Sequence, residues 1–314
     1  MAQVPFTKKK KCYFQRELGK IKKNPELYLL MLLPLVIIII FKLAPLYWLR
    51  MAFLDYNPFK GLAGSKYVGL KHFNRIFSDM DALRAMRNTL IISFYRFAIL
   101  FPAPIILAIM LNEVNSIRYK RTIQTVVYLP HFLSWVVAGS MLITLLSYNG
   151  GLVNELLRMF NIQPVNFLSD KTKFRTILVI SAAWKDVGWN SILYLAAITG
   201  IDPVLYEAAE IDGAKRFRKI WSITLPGIAN TIVVLMLIRI GNMMASNMDQ
   251  VLMLYNPLVY ETGDVIDTYV YRQGISKMEY SFSTAVGLFN SVVGFILLII
   301  SNAISRKVAD RSIW

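Results

Sequence analysis

Cysteine is nearly missing from this sequence. Cys12 stands alone among 314 residues, so no intramolecular disulfide can close and no Cys/His set has metal-ligand spacing. Histidine is almost as scarce, with only His72 and His131. His131, beside Pro130 and Phe132, reads as a packed helix-end residue rather than a base or ligand. A GxxxxGKS/T phosphate loop is lacking, so ATP must be handled on another chain. Charge is sparse too, at 17% of residues against about 25% in soluble domains. Carboxylates are the rarer sign, 19 Asp and Glu against 35 Lys and Arg, for a formal charge of +16. These shortages argue against a soluble enzyme and leave no cluster with nucleophile or metal spacing. A pI near 9.8 would suggest nucleic acid in a soluble protein. Here the basic residues sit in small groups between apolar runs, which suits membrane orientation instead.

What is abundant is apolar surface, 56% of residues with a positive mean hydropathy. The pattern predicts an all-α membrane protein of six transmembrane helices at about 27–49, 88–111, 123–146, 177–200, 226–246 and 284–304. Each is long enough, at about 1.5 Å per residue, to cross a hydrocarbon core about 30 Å thick. Helix is required because lipid offers backbone groups no other partner. Residues 27–304 then form one domain, flanked by a basic segment at 1–26 and a tail at 305–314. The first span reads as an uncleaved helix, being long for a signal peptide and lacking a small-residue cleavage site. Pro34, Pro45, Pro102 and Pro104 predict kinks.

Orientation follows from counting. With the N-terminus inside, the inner segments hold 18 Lys and Arg in 72 residues and the outer ones 13 in 105. That bias puts both termini in the cytoplasm. Leu70, Phe73, Ile76, Phe77 and Met80, at helical spacing in the first outer loop, predict a helix along the interface.

The inner loop 201–225 is the most specific segment. Asp202 suits an N-cap and Pro203 a first turn. Leu205, Ala208, Ala209 and Asp212 follow at helical spacing, and Gly213 suits a left-handed stop. A second short helix from Ala214 would align Phe217, Ile220 and Trp221 on one face. By composition alone this elbow could equally lie on anionic lipid.

Glu207-Ala208-Ala209, Gly213, Ile223, Leu225 and Pro226 resemble the EAA loop of permease subunits in ATP-binding-cassette importers. The resemblance implies a type I importer permease in a bacterial cytoplasmic (inner) membrane. Its partners would be a second permease, two ATPase subunits carrying ATP and Mg, and an extracytoplasmic solute-binding protein. Glu207 and Gly213 would couple to the ATPase, with Ala208 and Ala209 as a small packing face. Asp212-Gly213-Ala214 resembles the extended motif of sugar permeases. Asn88-Thr89-Leu90, the run Tyr128 to Trp135, Tyr255-Asn256-Pro257 and the run Asp267 to Arg272 are similar to the polysaccharide branch of the maltose-like class. That branch includes transporters of uronic-acid oligosaccharides such as alginate fragments. The implied function is import of oligosaccharides, with another solute or a non-transporting scaffold as alternatives. An ion channel lacks a filter here.

Ionisable residues within spans are functional candidates by default. Lys42 and Arg96 lie off centre and could snorkel to the interface. One arrangement pairs Asp186 with Arg239 and turns Lys185 to the translocation cavity, where it would attract a uronate; a purely structural ion pair fits as well. Trp184, Trp189, Asn190 and Tyr194, with Asn242, Ser246, Asn247, Asp249 and Gln250, have the mixed aromatic and amide character of a sugar path. The aromatics would equally suit an interfacial belt.

Overall fold

The computed structural model describes residues 25–244 and 248–309. The basic N-terminal segment with Cys12, the end of the tail, and Ser246 and Asn247 lie outside these residues. Among the described residues the chain is helical apart from one two-stranded hairpin.

Helix α1, Pro25–Ile38, continues through a π turn, Ile39–Leu43, into a tighter 3-10 stretch, Ala44–Phe53. Pro45 lacks an N–H and crowds the carbonyl four residues earlier. The wider turn ahead of it, closed by the Ala44 N–H on the Ile39 carbonyl, accommodates that misfit. Strands β1, Leu54–Asn57, and β2, Ser65–Tyr67, pair antiparallel with Leu54 opposite Tyr67. Helix α2, Lys71–Ser78, is the amphipathic helix expected in this loop; it buries His72 and Ile76 and leaves Leu70, Phe77 and Met80 exposed. It stops because the Asp79 side chain accepts the amides of Asp81 and Ala82 and so caps α3, Met80–Leu100. Then follow α4 (Pro102–Asn112), α5 (Ile117–Tyr128, extended by a tight turn to Phe132), α6 (Trp135–Leu145) and α7 (Leu152–Met159). The second half holds α8 (Lys171–Thr199), α9 (Pro203–Ile211), α10 (Ala229–Gly241), α11 (Met248–Leu254), α12 (Ile266–Tyr271) and α13 (Tyr280–Ala309).

Three helices, Pro25–Phe53, Met80–Asn112 and Tyr280–Ala303, are long and apolar enough to cross a membrane alone. Three bent pairs qualify only as pairs, which allows up to six crossings. The expected third span at 123–146 is not one rod: it breaks between Phe132 and Trp135 with a bend of 101°. The expected fifth, 226–246, bends by 62° before Ala229, and its helix ends at Gly241. The fourth is longer than 177–200, because the Asp170 carboxylate caps it at Lys171 through the Thr172 amide.

Helix α8 is the axis of the bundle, packed by α3, α4 and α5. Its approach to α5 is as close as backbones allow. A Cβ on Gly188 would lie 1.9 Å from the Val127 carbonyl oxygen. Toward the elbow end, Ile105, Ala108 and Leu111 of α4 pack with Leu195 and Ile198 of α8 and with Ile228.

The opposite end is knitted by polar contacts. Buried Asn88 donates to the carbonyls of Glu261 and Asp264, each at 3.1 Å, and accepts from Arg175 at 2.8 Å. The Ile266 amide donates to Thr89 Oγ1, and the Tyr269 hydroxyl to Asp79. Arg272 grips Asp264 with both guanidinium nitrogens; burial works against its charge, but that carboxylate outweighs the burial and raises its pKa. The two lineage motifs around 88–90 and 267–272 thus meet in space.

Gly188→Ala is expected to force α5 off α8 and lower the thermal midpoint of the purified protein markedly. Gly287→Ala, where the added methyl meets nothing within 4 Å, is expected to leave the midpoint unchanged; equal midpoints for both variants would contradict this packing.

Candidate functional site

The elbow forms as its residues dictate. Asp202 accepts the Val204 amide at 3.0 Å and Pro203 opens α9. The helix closes in a double bond, Ala214 N–H to the Ala209 carbonyl at 2.8 Å and Gly213 N–H to the Glu210 carbonyl at 3.0 Å. Gly213 takes φ +72°, which side chains disfavour. A helical turn, Arg216–Lys219, and a π turn, Ile220–Thr224, lead on to α10. Three ties brace the elbow. The Tyr206 hydroxyl bonds Thr224 Oγ1 at 2.9 Å, Lys219 pairs with Glu210, and Arg216 pairs with Glu113 at the foot of α4.

Nothing in α9 is buried. Leu205, Ile211, Phe217 and Trp221 stand exposed, and Glu207 makes no hydrogen bond or ion pair among the described residues. Glu207, Ala208, Ala209, Asp212 and Gly213 therefore lie together on one protruding element.

The second site begins at the break between α5 and α6. Lys185 is 6% exposed, and its Nζ donates to the carbonyls of His131 and Leu133 at 2.6 Å each and of Pro130 at 3.3 Å. The Trp135 ring lies 5.7 Å away. Lys185 thus does not face a cavity, contrary to expectation. Its cation sits where a helix end has exhausted its own donors. Burying an ammonium costs several kcal/mol, and three hydrogen bonds from a charged donor, at roughly 1.5–3 kcal/mol each, offset it.

Asp186, about 100° further round the helix, faces a polar cavity of about 480 Å³. It does not pair with Arg239: its Oδ1 lies 3.2 Å from His131 Nδ1. The His131 ring stacks on Trp189 at 4.6 Å and 5°, packed at a helix end as expected, and it also lines the cavity. Asn190, Tyr194 and Asn242 also line the cavity, together with Arg239 and Arg96. Arg96 therefore does not snorkel. It donates to Gln250 Oε1, while Gln250 Nε2 donates to the Leu178 carbonyl and Ser181 Oγ.

Of the expected path residues, Trp189, Asn190, Tyr194 and Asn242 converge. Gln250 stands behind Arg96, Asp249 is exposed and away from the lining, and Asn247 lies outside the described residues. Trp184 borders a separate apolar groove of about 620 Å³ with Met141 and Ile177. Arg96 and His131 were missed as cavity residues; the spacing of Ser93, Arg96, Phe97 and Leu100 along one helical face was the available signal.

Lys185→Met is expected to strand two carbonyls, those of His131 and Leu133, since the Pro130 carbonyl keeps the Leu133 amide at 3.2 Å, and to destabilise the fold by about 1–3 kcal/mol for each one left unpaired. Thermal unfolding of the purified protein measures this, and a midpoint equal to wild type would remove the clamp.

Residues 100–310 match the family described as binding-protein-dependent transport system inner membrane component. The chain is 42% identical to the polygalacturonan/rhamnogalacturonan transport system permease protein YteP of Bacillus subtilis (strain 168), over 99% of this chain and 96% of that one. It is 43% identical to the protein LplB of the same organism, over 95% and 93%. Its fold superposes with TM-score 0.86 and 40% identity on a chain from the crystal structure of a bacterial ABC transporter involved in the import of the acidic polysaccharide alginate, covering 93% of this chain and 99% of that one. A second structure of a bacterial alginate ABC transporter, in complex with an alginate pentasaccharide-bound periplasmic protein, gives the same TM-score. The exposed elbow and the polar cavity between broken helices accordingly belong to a known architecture, and the chain is a member of the family of inner-membrane components of binding-protein-dependent transport systems.

Proposed function

We propose that this chain is one of two permeases of an oligosaccharide importer, crossing a bacterial cytoplasmic membrane up to six times with both termini in the cytoplasm. The observation that carries the reading is the elbow: a Glu207 without a side-chain partner among the described residues, on a helix with no buried residue, with Leu205, Ile211 and Phe217 also exposed. So many large apolar side chains left exposed on one short element suit an interaction site. A cleft in an ATP-hydrolysing subunit would cover it, with ATP and Mg held there and no catalysis on this chain. Glu207, Ala208, Ala209, Asp212 and Gly213 are the coupling contact.

The bracing of the elbow supports transmission. Arg216 ties it to the foot of α4, and Tyr206 to the π turn that leads into α10, so closure of two ATPase subunits would be passed on to α10, which lines the cavity. Trp189, Asn190, Tyr194 and Asn242 form the sugar path. A ligand shifts such an alternation only by its differential affinity for the two states, so the inward-facing cavity must bind sugar weakly. The excess of Lys and Arg in one set of connecting segments supports the orientation. The apolar stretch of α1 is left unburied by the other described residues, which suits contact with lipid or with a second permease. The likeness to YteP and to the alginate transporters supports a saccharide cargo delivered by an extracytoplasmic binding protein.

Glu207→Arg, placing a cation where the partner expects a carboxylate, is expected to lose the co-purifying ATPase subunit, or its stimulation by loaded binding protein, while helical content stays intact. Undiminished recovery and stimulation would leave the elbow as a lipid-facing helix and sink the reading.

A further inference from the structure

The cavity beside α8 holds more donor capacity than its own residues use. Arg96 is fixed by one edge through Gln250, whose amide is itself locked to the Leu178 carbonyl and Ser181. Its Nε is fully buried and has no hydrogen-bond partner. A buried donor left unmade costs about 1–3 kcal/mol, and such groups in native structures call for an explanation. Arg239, on α10, lines the same cavity and forms no hydrogen bond or ion pair with any described residue. The carboxylate whose field reaches both guanidinium groups is Asp186. It is already engaged by His131 at 3.2 Å and within ion-pair distance of neither arginine. Two guanidinium groups thus share one carboxylate, and the cavity has an excess of positive charge.

The rest of the lining is suited to a sugar ring. His131 covers one face of Trp189, and Phe132 meets its ring edge-on at 5.5 Å. Trp189 is still 41% exposed, so part of its surface remains open for stacking. Asn190 Nδ2 donates to the Asp186 carbonyl and Asn242 Nδ2 to the Ile238 carbonyl, which leaves the two Oδ1 atoms without a donor among the described residues and available as acceptors for hydroxyl groups. The volume, about 480 Å³, falls in the range of about 300–1,000 Å³ usual for small-molecule sites.

We propose that Arg96 and Arg239 form a carboxylate-binding subsite in the translocation cavity, which selects oligosaccharides that carry hexuronate residues. A planar guanidinium matches a carboxylate by two parallel N–H···O bonds, and a neutral sugar offers it no such partner. This inference rests on the transport reading above and assigns to Arg96 and Arg239 the attraction that the sequence had suggested for Lys185.

The test is ATP-driven uptake into liposomes by the full importer with its binding protein. The two probes are trigalacturonate and its fully methyl-esterified, uncharged counterpart, and the readout is the ratio of the two rates. The binding protein is the same in every arm, so its own selectivity cancels when variants are compared with wild type. Wild type is expected to favour the charged probe, and Arg239→Gln to lower the ratio about tenfold or more, as loss of one charge-assisted pair implies. Arg239→Lys is expected to recover part of it, since the charge returns without the fork. Arg96→Gln should act likewise, although it also releases Gln250; should that variant fail to assemble, Arg239→Gln and Arg239→Lys decide alone. A ratio in Arg239→Gln equal to that of wild type overturns the subsite while leaving oligosaccharide transport standing. Wild-type uptake of neither probe, nor of any neutral oligosaccharide, overturns the transport reading and the subsite with it.

Discussion

One ammonium group braces the helix break against which the cavity is built. The helix that begins at Ile117 breaks before Ser134, and the break leaves the carbonyls of His131 and Leu133 without an amide of their own segment among the described residues. Lys185 supplies the missing donors from a neighbouring helix, at 2.6 Å to His131 and Leu133. In hydrocarbon those carbonyls would otherwise go unpaired at several kcal/mol each, and the lysine would carry an unbalanced charge. Each defect cures the other. Because Asp186 follows directly, the same turn of α8 also holds the His131 side chain, and through it the stack on Trp189. The wall of the cavity is therefore set by two consecutive residues acting in different directions.

How much of this could be read in the chain depends on the distance over which each feature is encoded. The elbow is local: Asp202, Pro203 and Gly213 start and stop a helix within 12 positions, and the structure has the helix there. The broken third span is not local. Residues 123–146 hold no Asp, Glu, Lys or Arg to mark the break, and the partner that stabilises the bend stands more than 50 positions away. Spacing showed that Lys185 and Asp186 point apart, but not which of them meets water; that is settled by the neighbours of α8. Helix ends were misjudged for a related reason. Hydropathy falls off at Lys171 to Thr176, whereas the helix continues through them because Asp170 caps it.

The motifs that mark lineage turn out to be structural. Asn88 and Thr89 hold the segment from Tyr260 to Ile266, and Asn256 donates to the Leu168 carbonyl at 3.0 Å. They tie down irregular backbone at the end opposite the elbow, where helices 88 and 260 residues along the chain converge. The cavity draws side chains from α3, α8 and α10, and from the lineage motifs it takes His131.

Helix α8 runs unbroken for 29 residues, from an ion pair at one end between Lys171 and Glu261 to the turn that leads into α9 at the other. At about 1.5 Å per residue it is a stiff strut about 43 Å long. A strut of that length works as a lever: a swing of about 5° at the elbow displaces the far end by about 4 Å. Trp189 and Asn190 stand about a third of the way along the arm from the elbow end, so with the pivot there the wall of the cavity travels about a third as far as the opposite end of the helix.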